Sequence, residues 1–148
     1  MNIDLVLASD HRGLELKEHI TKWVVPIDDT EVRSNITMFH DVGTYTPDSV
    51  DYPDIVKLFA SEMETFNRGI LVCGSGMGMS MAANKHKKIR AAMCYSIKNT
   101  KLSRLHNNAN IITLGSRLTK KNTAFKCIEA FINTKFEGGR HKKRVKKI

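Results

Sequence analysis

Five short runs rich in Val, Ile and Leu alternate with stretches whose apolar residues recur at helical spacing, and this alternation constrains the chain more than any other feature. The runs are IDLVLAS, MFHDVG, GILVCG, IRAAMC and NIITLG. After the first, Leu16, Ile20, Trp23 and Val24 keep a helical period until Pro26 ends it. In YPDIVKLFASEMETF, Pro53 suits the first helical position and Asp54 the first turn, while Ile55, Val56, Phe59, Met63 and Phe66 share one side. After the fifth run, Thr119 is placed to cap a helix carrying Ala124, Phe125, Ile128, Phe131 and Ile132 as its apolar stripe. The polar IDDTEVRSNIT before the second run reads as a surface loop. Strands that alternate with helices pair in parallel, because right-handed crossovers lay the helices on both faces of one sheet. The expected fold is therefore α/β, a Rossmann-like three-layer α/β/α sandwich with a five-stranded parallel sheet, in strand order 2-1-3-4-5.

A chain of 148 residues, 41% hydrophobic, suits one domain over 1–148 with a real core. No apolar stretch is long enough to span a bilayer and the N-terminus lacks a basic leader, so a soluble, cytoplasmic protein is expected. Cys73, Cys94 and Cys127 form no C-x-x-C pair, which argues against a disulfide framework and a zinc knuckle. Of the net charge of +9, +6 falls between Lys135 and Ile148. The excess is thus a property of a basic C-terminal tail, and the body shows no basic stripe interleaved with aromatics that would mark a nucleic-acid surface.

In such sheets ligands bind beyond the carboxyl ends of the strands, where the strand order reverses. Here that point lies between the first and third strands, so Asp10, His11, Cys73 and Ser75 are expected to converge in one crevice. Gly74, Gly76 and Gly78 precede a helical segment, a pattern whose amides can hold a phosphate or an oxyanion, or merely form a tight turn. It is neither the dinucleotide fingerprint, since Met79 stands where the third glycine belongs, nor a Walker loop. Cys73, at the entrance to this loop, sits where N–H donors and a helix N-terminus favour a thiolate. His106 and Asn107 precede the fifth strand, and Arg117 follows it. Arg140 and Arg144, four apart, would share a helix face and could grip one phosphate. No histidine pair shows metal-ligand spacing with carboxylates nearby, so neither a metal nor a cofactor is expected. A thiolate base, a histidine and an oxyanion cradle suit proton transfer beside a carbonyl, as in aldose–ketose isomerisation of a small phosphorylated sugar.

The successive motifs ASDHRGLELK, DVGTYTPDSVDYPD, GILVCGSGMGMSMAANKHKKIRAAMC, LHNNANIITLGSRL and FEGGRHKKRV resemble those of the ribose-5-phosphate isomerase B family, which includes galactose-6-phosphate isomerase subunits. The resemblance spans nearly the whole chain. It implies a cofactor-free isomerase of the non-oxidative pentose phosphate branch, with Cys73 as base and the loop Gly74, Ser75, Gly76, Met77 and Gly78 holding the enediolate oxygens. It further implies His106 as the acid that opens the sugar ring, assisted by Asp10, and Asn107 as a sugar contact. His11, Arg117, Arg140 and Arg144 would contact phosphate and sugar, and Tyr45 would lie in the loop covering the sugar. The resemblance also implies a homodimer or homotetramer with shared sites, inactive as isolated monomers. One branch of the family places a glutamate where this chain has Met79, which leaves Cys73 to carry the proton. Departures are Arg12 in place of a small residue, which is expected to alter the pocket mouth, HNN in place of HND, and a long loop before Met38. Alternatives are an isomerase of galactose or allose 6-phosphate, or a non-catalytic protein that binds sugar phosphate or uses its tail on RNA.

Overall fold

The computed structural model describes residues 2–25 and 35–148. In chain order the elements are β1 (Ile3–Ser9), α1 (Leu14–Val24), β2 (Ile36–Asp41), α2 (Tyr52–Glu62), β3 (Arg68–Cys73), α3 (Met77–Ala83), β4 (Ala91–Met93), α4 (Ile97–Asn107), β5 (Ile111–Gly115), α5 (Lys121–Asn133) and α6 (Gly139–Val145). All strand pairs are parallel and form one five-stranded sheet, as the alternation of elements predicts.

The strand order is 2-1-3-5-4, so the expected positions of the last two strands are exchanged. Every residue of β5 is buried, and its Ile-Ile-Thr-Leu run covers both faces of the sheet. By contrast β4 is three residues long and half-buried. Its two alanines have little surface to bury, so the short strand goes to the edge and β5 enters beside β3. The reversal between β1 and β3 is unaffected.

Two hydrophobic clusters flank the sheet, and period-two alternation decides which strand residue joins which. Leu5, Leu7, Ile70, Val72, Ile112 and Leu114 face Leu16 and Ile20 of α1 and Ile128 and Phe131 of α5. On that side Trp23 stacks on Phe125, with ring centroids 5.5 Å apart. Val6, Ala8, Leu71 and Cys73 face Ile55, Val56 and Phe59 of α2 and Met79 and Ala83 of α3. Each fully buried Leu, Ile or Phe contributes about 1.5–3 kcal/mol.

Boundaries differ from expectation in four places. The second strand begins at Ile36, so Ile36 and Thr37 belong to the sheet, while residues 27–34 of the expected loop lie outside the described residues, as does Pro26. Helix α2 stops at Glu62 although Met63 is still buried in the core. Thr119 does not cap α5: Lys120 holds the cap position without a side-chain bond, and Thr119 is buried with its N–H donated to the Gly115 carbonyl. The polar α4 begins with a reciprocal cap between Ser96 and Asn99 that no apolar pattern announces.

Cys94, just after β4, and Cys127 of α5 are free thiols packed in the α1/α5 cluster, and neither lines the crevice described below. Burial pushes the Cys94 thiol up to about 11, against hydrogen bonds from Thr100 and Ser103. As pH rises above 9 the unfolded chain releases this proton and the folded chain keeps it, so stability falls across that window. Arg104, brought down to about 10 chiefly by burial, gives the opposite slope only above that pH. Urea unfolding between about pH 8.5 and about pH 10 should therefore show a loss of about 1 kcal/mol that Cys94→Ala reduces. An equal slope in the variant would assign the loss elsewhere.

Candidate active site

The carboxyl ends of β1, β3 and β5 lie side by side, with Ser9 paired to Val72 and Cys73 paired to Gly115. Beyond them opens a crevice of about 730 Å³, lined by Asp10, His11 and Arg12 from the first loop and Cys73, Gly74, Ser75 and Gly78 from the second. Arg117 and Leu118 enter after β5, and the segment from Ser49 to Asp54 closes the remaining side. The volume falls within the range of pockets that enclose small ligands. The expected convergence of Asp10, His11, Cys73 and Ser75 is thus present, and Arg117 joins them.

Cys73 is the last residue of β3 and 5% exposed. Its Sγ accepts the Gly76 N–H at 3.1 Å, which fixes the sulfur at the mouth of the glycine loop. The turn that aims this amide requires Gly76 at φ +78°, where a side chain is strained and a Cβ would lie 3.0 Å from the Leu114 carbonyl carbon. Ser75 Oγ accepts the Met77 N–H at 3.2 Å, leaving its own proton for another acceptor. Gly78 lies under the Tyr52 ring, so close that a Cβ would stand 2.7 Å from it. Gly76 and Met77 are absent from the crevice wall; the first serves through its amide and the second is half-exposed.

Asp10 is 5% exposed, and its Oδ1 accepts the Arg12 and Gly13 N–H groups, both at 3.0 Å. It therefore holds the start of α1 and also faces the crevice. His11 Nδ1 accepts the Val50 N–H at 3.1 Å, so the neutral ring carries its proton on Nε2, a donor for a hydroxyl or phosphate oxygen. This bond also ties the loop after β2 to the loop after β1. The loop after β2 leaves the strand at Asp41, whose carboxylate is bonded by the buried Lys17 ammonium and accepts the Gly43 N–H. The guanidinium stems of Arg12 and Arg117 flank Gly74 on the crevice wall, so Arg12 does stand at the pocket mouth.

Besides Gly76 and Met77, five expected site residues do not line this crevice. Tyr45 is exposed, donates to the Asp41 carbonyl and packs on Lys17; the tyrosine on the wall is Tyr52. His106 sits at the end of α4, its ring stacked on His141 at 4.2 Å between centroids. Asn107 borders a separate hollow with His86, Arg90 and Ile148. Arg140 and Arg144 do share a face of α6, but that face opens on its own groove. Ser49, Val50, Asp51, Tyr52 and Leu118 were not anticipated, since the only signal was adjacency, of the first four to the expected covering loop and of Leu118 to Arg117. The expectation that no histidines are arranged with carboxylates as a metal site would need meets one exception: Glu137 Oε2 is 3.8 Å from His106 Nε2 and 3.9 Å from His141 Nε2. Glu137 and His141 are four apart in sequence, a cue visible beforehand, but only the fold brings His106 to them.

A parallel sheet with a thiol and a glycine loop at its switch point suits proton transfer on a small anionic ligand, and comparison with known proteins identifies the class as sugar isomerases. The profile of the ribose/galactose isomerase family matches residues 5–148. Ribose-5-phosphate isomerase B of Escherichia coli K12 is 34% identical, covering 97% of this chain and 93% of that protein. Among solved structures, ribose 5-phosphate isomerase B of Thermotoga maritima superposes with a TM-score of 0.89 at 40% identity, covering 99% and 97% of the two chains. That of Anaplasma phagocytophilum gives 0.86 at 41% identity, covering 99% and 96%. The chain belongs to the ribose/galactose isomerase family.

Proposed function

We propose that this chain interconverts D-ribose 5-phosphate and D-ribulose 5-phosphate through an enediolate, with Cys73 as the proton-transferring base. The observation that carries the reading is the Cys73 thiol at the mouth of an amide-rich loop, in one crevice with Asp10, His11 and Arg117. On the open-chain sugar the thiolate takes the C2 proton and the C2–H electron pair forms the C1–C2 double bond. The carbonyl electrons move to O1, where loop amides and the Ser75 hydroxyl would stabilise the charge. The C2 hydroxyl proton then moves to O1, the O2 electrons form the C2 carbonyl, and the C1–C2 π pair takes the proton back from Cys73 at C1, completing the ketose. Met79 is fully buried in the core and carries no titratable group, which supports Cys73 as the base in this loop.

His106, Asn107, Arg140 and Arg144 would complete the reaction by entering the crevice of a second copy. His106 would open the furanose with help from Asp10, Asn107 would hold a sugar hydroxyl, and the two arginines with Arg117 and His11 would bind the phosphate. We infer a homodimer or homotetramer with shared sites, and a cytoplasmic location in keeping with the proposed sugar-phosphate substrate. Among the described residues no helix is long and apolar enough to cross a membrane. Turnover of ribose 5-phosphate, galactose 6-phosphate and allose 6-phosphate, measured side by side in EDTA, tests the substrate. The pentose should have the highest kcat/KM; a clear preference for a hexose would replace it, and turnover of none would leave a binding role.

A further inference from the structure

Outside the crevice, the described residues contain one group of side chains with the donor set of a transition-metal site: His106, Glu137 and His141. Their ligand atoms all lie within 4.8 Å of one another. The frame around them is built from both sides. Glu137 donates its N–H to the Leu105 carbonyl, and Arg104 of α4 bonds the Thr134 carbonyl, so the segment before α6 is fastened to the end of α4. Left-handed Gly138 and Gly139 then turn the chain into α6, and His141 N–H closes on the Gly138 carbonyl.

An independent observation points to a ligand. His141 is only 7% exposed, and its Nε2 has no hydrogen-bond partner although it faces the Glu137 carboxylate. A buried imidazole nitrogen left without a partner costs free energy unless something binds it.

We propose that His106 Nε2, His141 Nε2 and a Glu137 carboxylate oxygen bind one divalent ion of the zinc class, and that occupancy removes His106 from the isomerase reaction. Zinc bonds of about 2.0–2.2 Å place tetrahedral ligands about 3.3 Å apart, so the site must close by about 1 Å. His141 is the fixed anchor. His106 and Glu137, 38% and 57% exposed in their side chains, supply the movement, His106 by turning out of its stack on His141. The nearby Arg140 and Arg144 charges oppose any cation, which disfavours the hard ions magnesium and calcium and selects one that gains from imidazole. The fourth position is left for water. The inhibitory consequence rests on the role of His106 proposed above; the binding does not.

The test is calorimetric titration of the chain with zinc chloride, without sugar, in a Cys73→Ala background that removes the thiol as a rival ligand. One ion per chain is expected, and Glu137→Gln or His141→Asn should weaken it by at least the about 10-fold that loss of a mere outer-sphere partner costs. The exposed Glu137→Gln decides the matter if the buried His141→Asn does not fold. With Cys73 intact, zinc should inhibit turnover reversibly, and Glu137→Gln should need at least about 10-fold more zinc for the same inhibition. No binding in the Cys73→Ala chain, or binding indifferent to Glu137→Gln, overturns the site. Binding as expected without inhibition overturns only the link to His106.

Discussion

Replacing Cys73 with alanine should lower kcat on ribose 5-phosphate by about 10²–10⁴-fold, the range in which a positioned acid or base contributes. KM should change little, because in the proposed mechanism the thiol would meet only the reacting carbon, while phosphate binding would fall to His11, Arg117 and the arginines of α6. Stability should stay close to native, since Cys73 is small and stands at the end of β3. Its loss removes one side chain from the α2/α3 cluster while the surrounding Leu71 and Met79 remain packed. The measurement is steady-state turnover in EDTA, paired with substrate binding to the variant by calorimetry. A variant that binds and turns over at the native rate would remove Cys73 from the mechanism, and one that fails to bind would make it a ligand contact.

The second prediction concerns how the site is divided. Cys73→Ala and His106→Ala should each be nearly inactive alone, yet a mixture unfolded and refolded together should recover about a quarter of native activity if the chain is a dimer with shared sites. In half of the refolded dimers, one of two sites would then combine Cys73 from one chain with His106 from the other. Were both residues of a site supplied by one chain, every site in the mixture would carry a lesion and nothing would be recovered. This contrast follows from the fold: His106 is stacked on His141 at the junction of α4 and α6, while Cys73 lines the crevice beyond β3 with Asp10 and Arg117. The experiment reads the arrangement without requiring a structure of the assembly.

Much of the crevice was legible beforehand. The apolar run ending in Cys73 is a β3 buried along its whole length, and the glycines after it form the turn that brings the Gly76 N–H to Sγ. Asp10 and His11 meet this loop because both follow the strands flanking the reversal of order. The covering segment was less legible. Tyr45 and Tyr52 both lie near the expected loop, but which one reaches the wall depends on how Asp41, Lys17 and His11 fasten that stretch.

Element type and order were determined by the sequence alone, because they depend on periodicity within a few residues: alternation where a strand is half-buried, a 3.6 repeat where a helix covers it. Local chemistry belongs to the same category, including a thiol at a strand end beside glycines and two arginines four apart. Tertiary structure decided what depends on competition between distant segments. It placed the fully buried β5 inside the short, alanine-bearing β4, because the inner position favours the strand with more apolar surface on both faces. It also gathered His106, Glu137 and His141 from α4 and the segment leading into α6, residues that no local period connects.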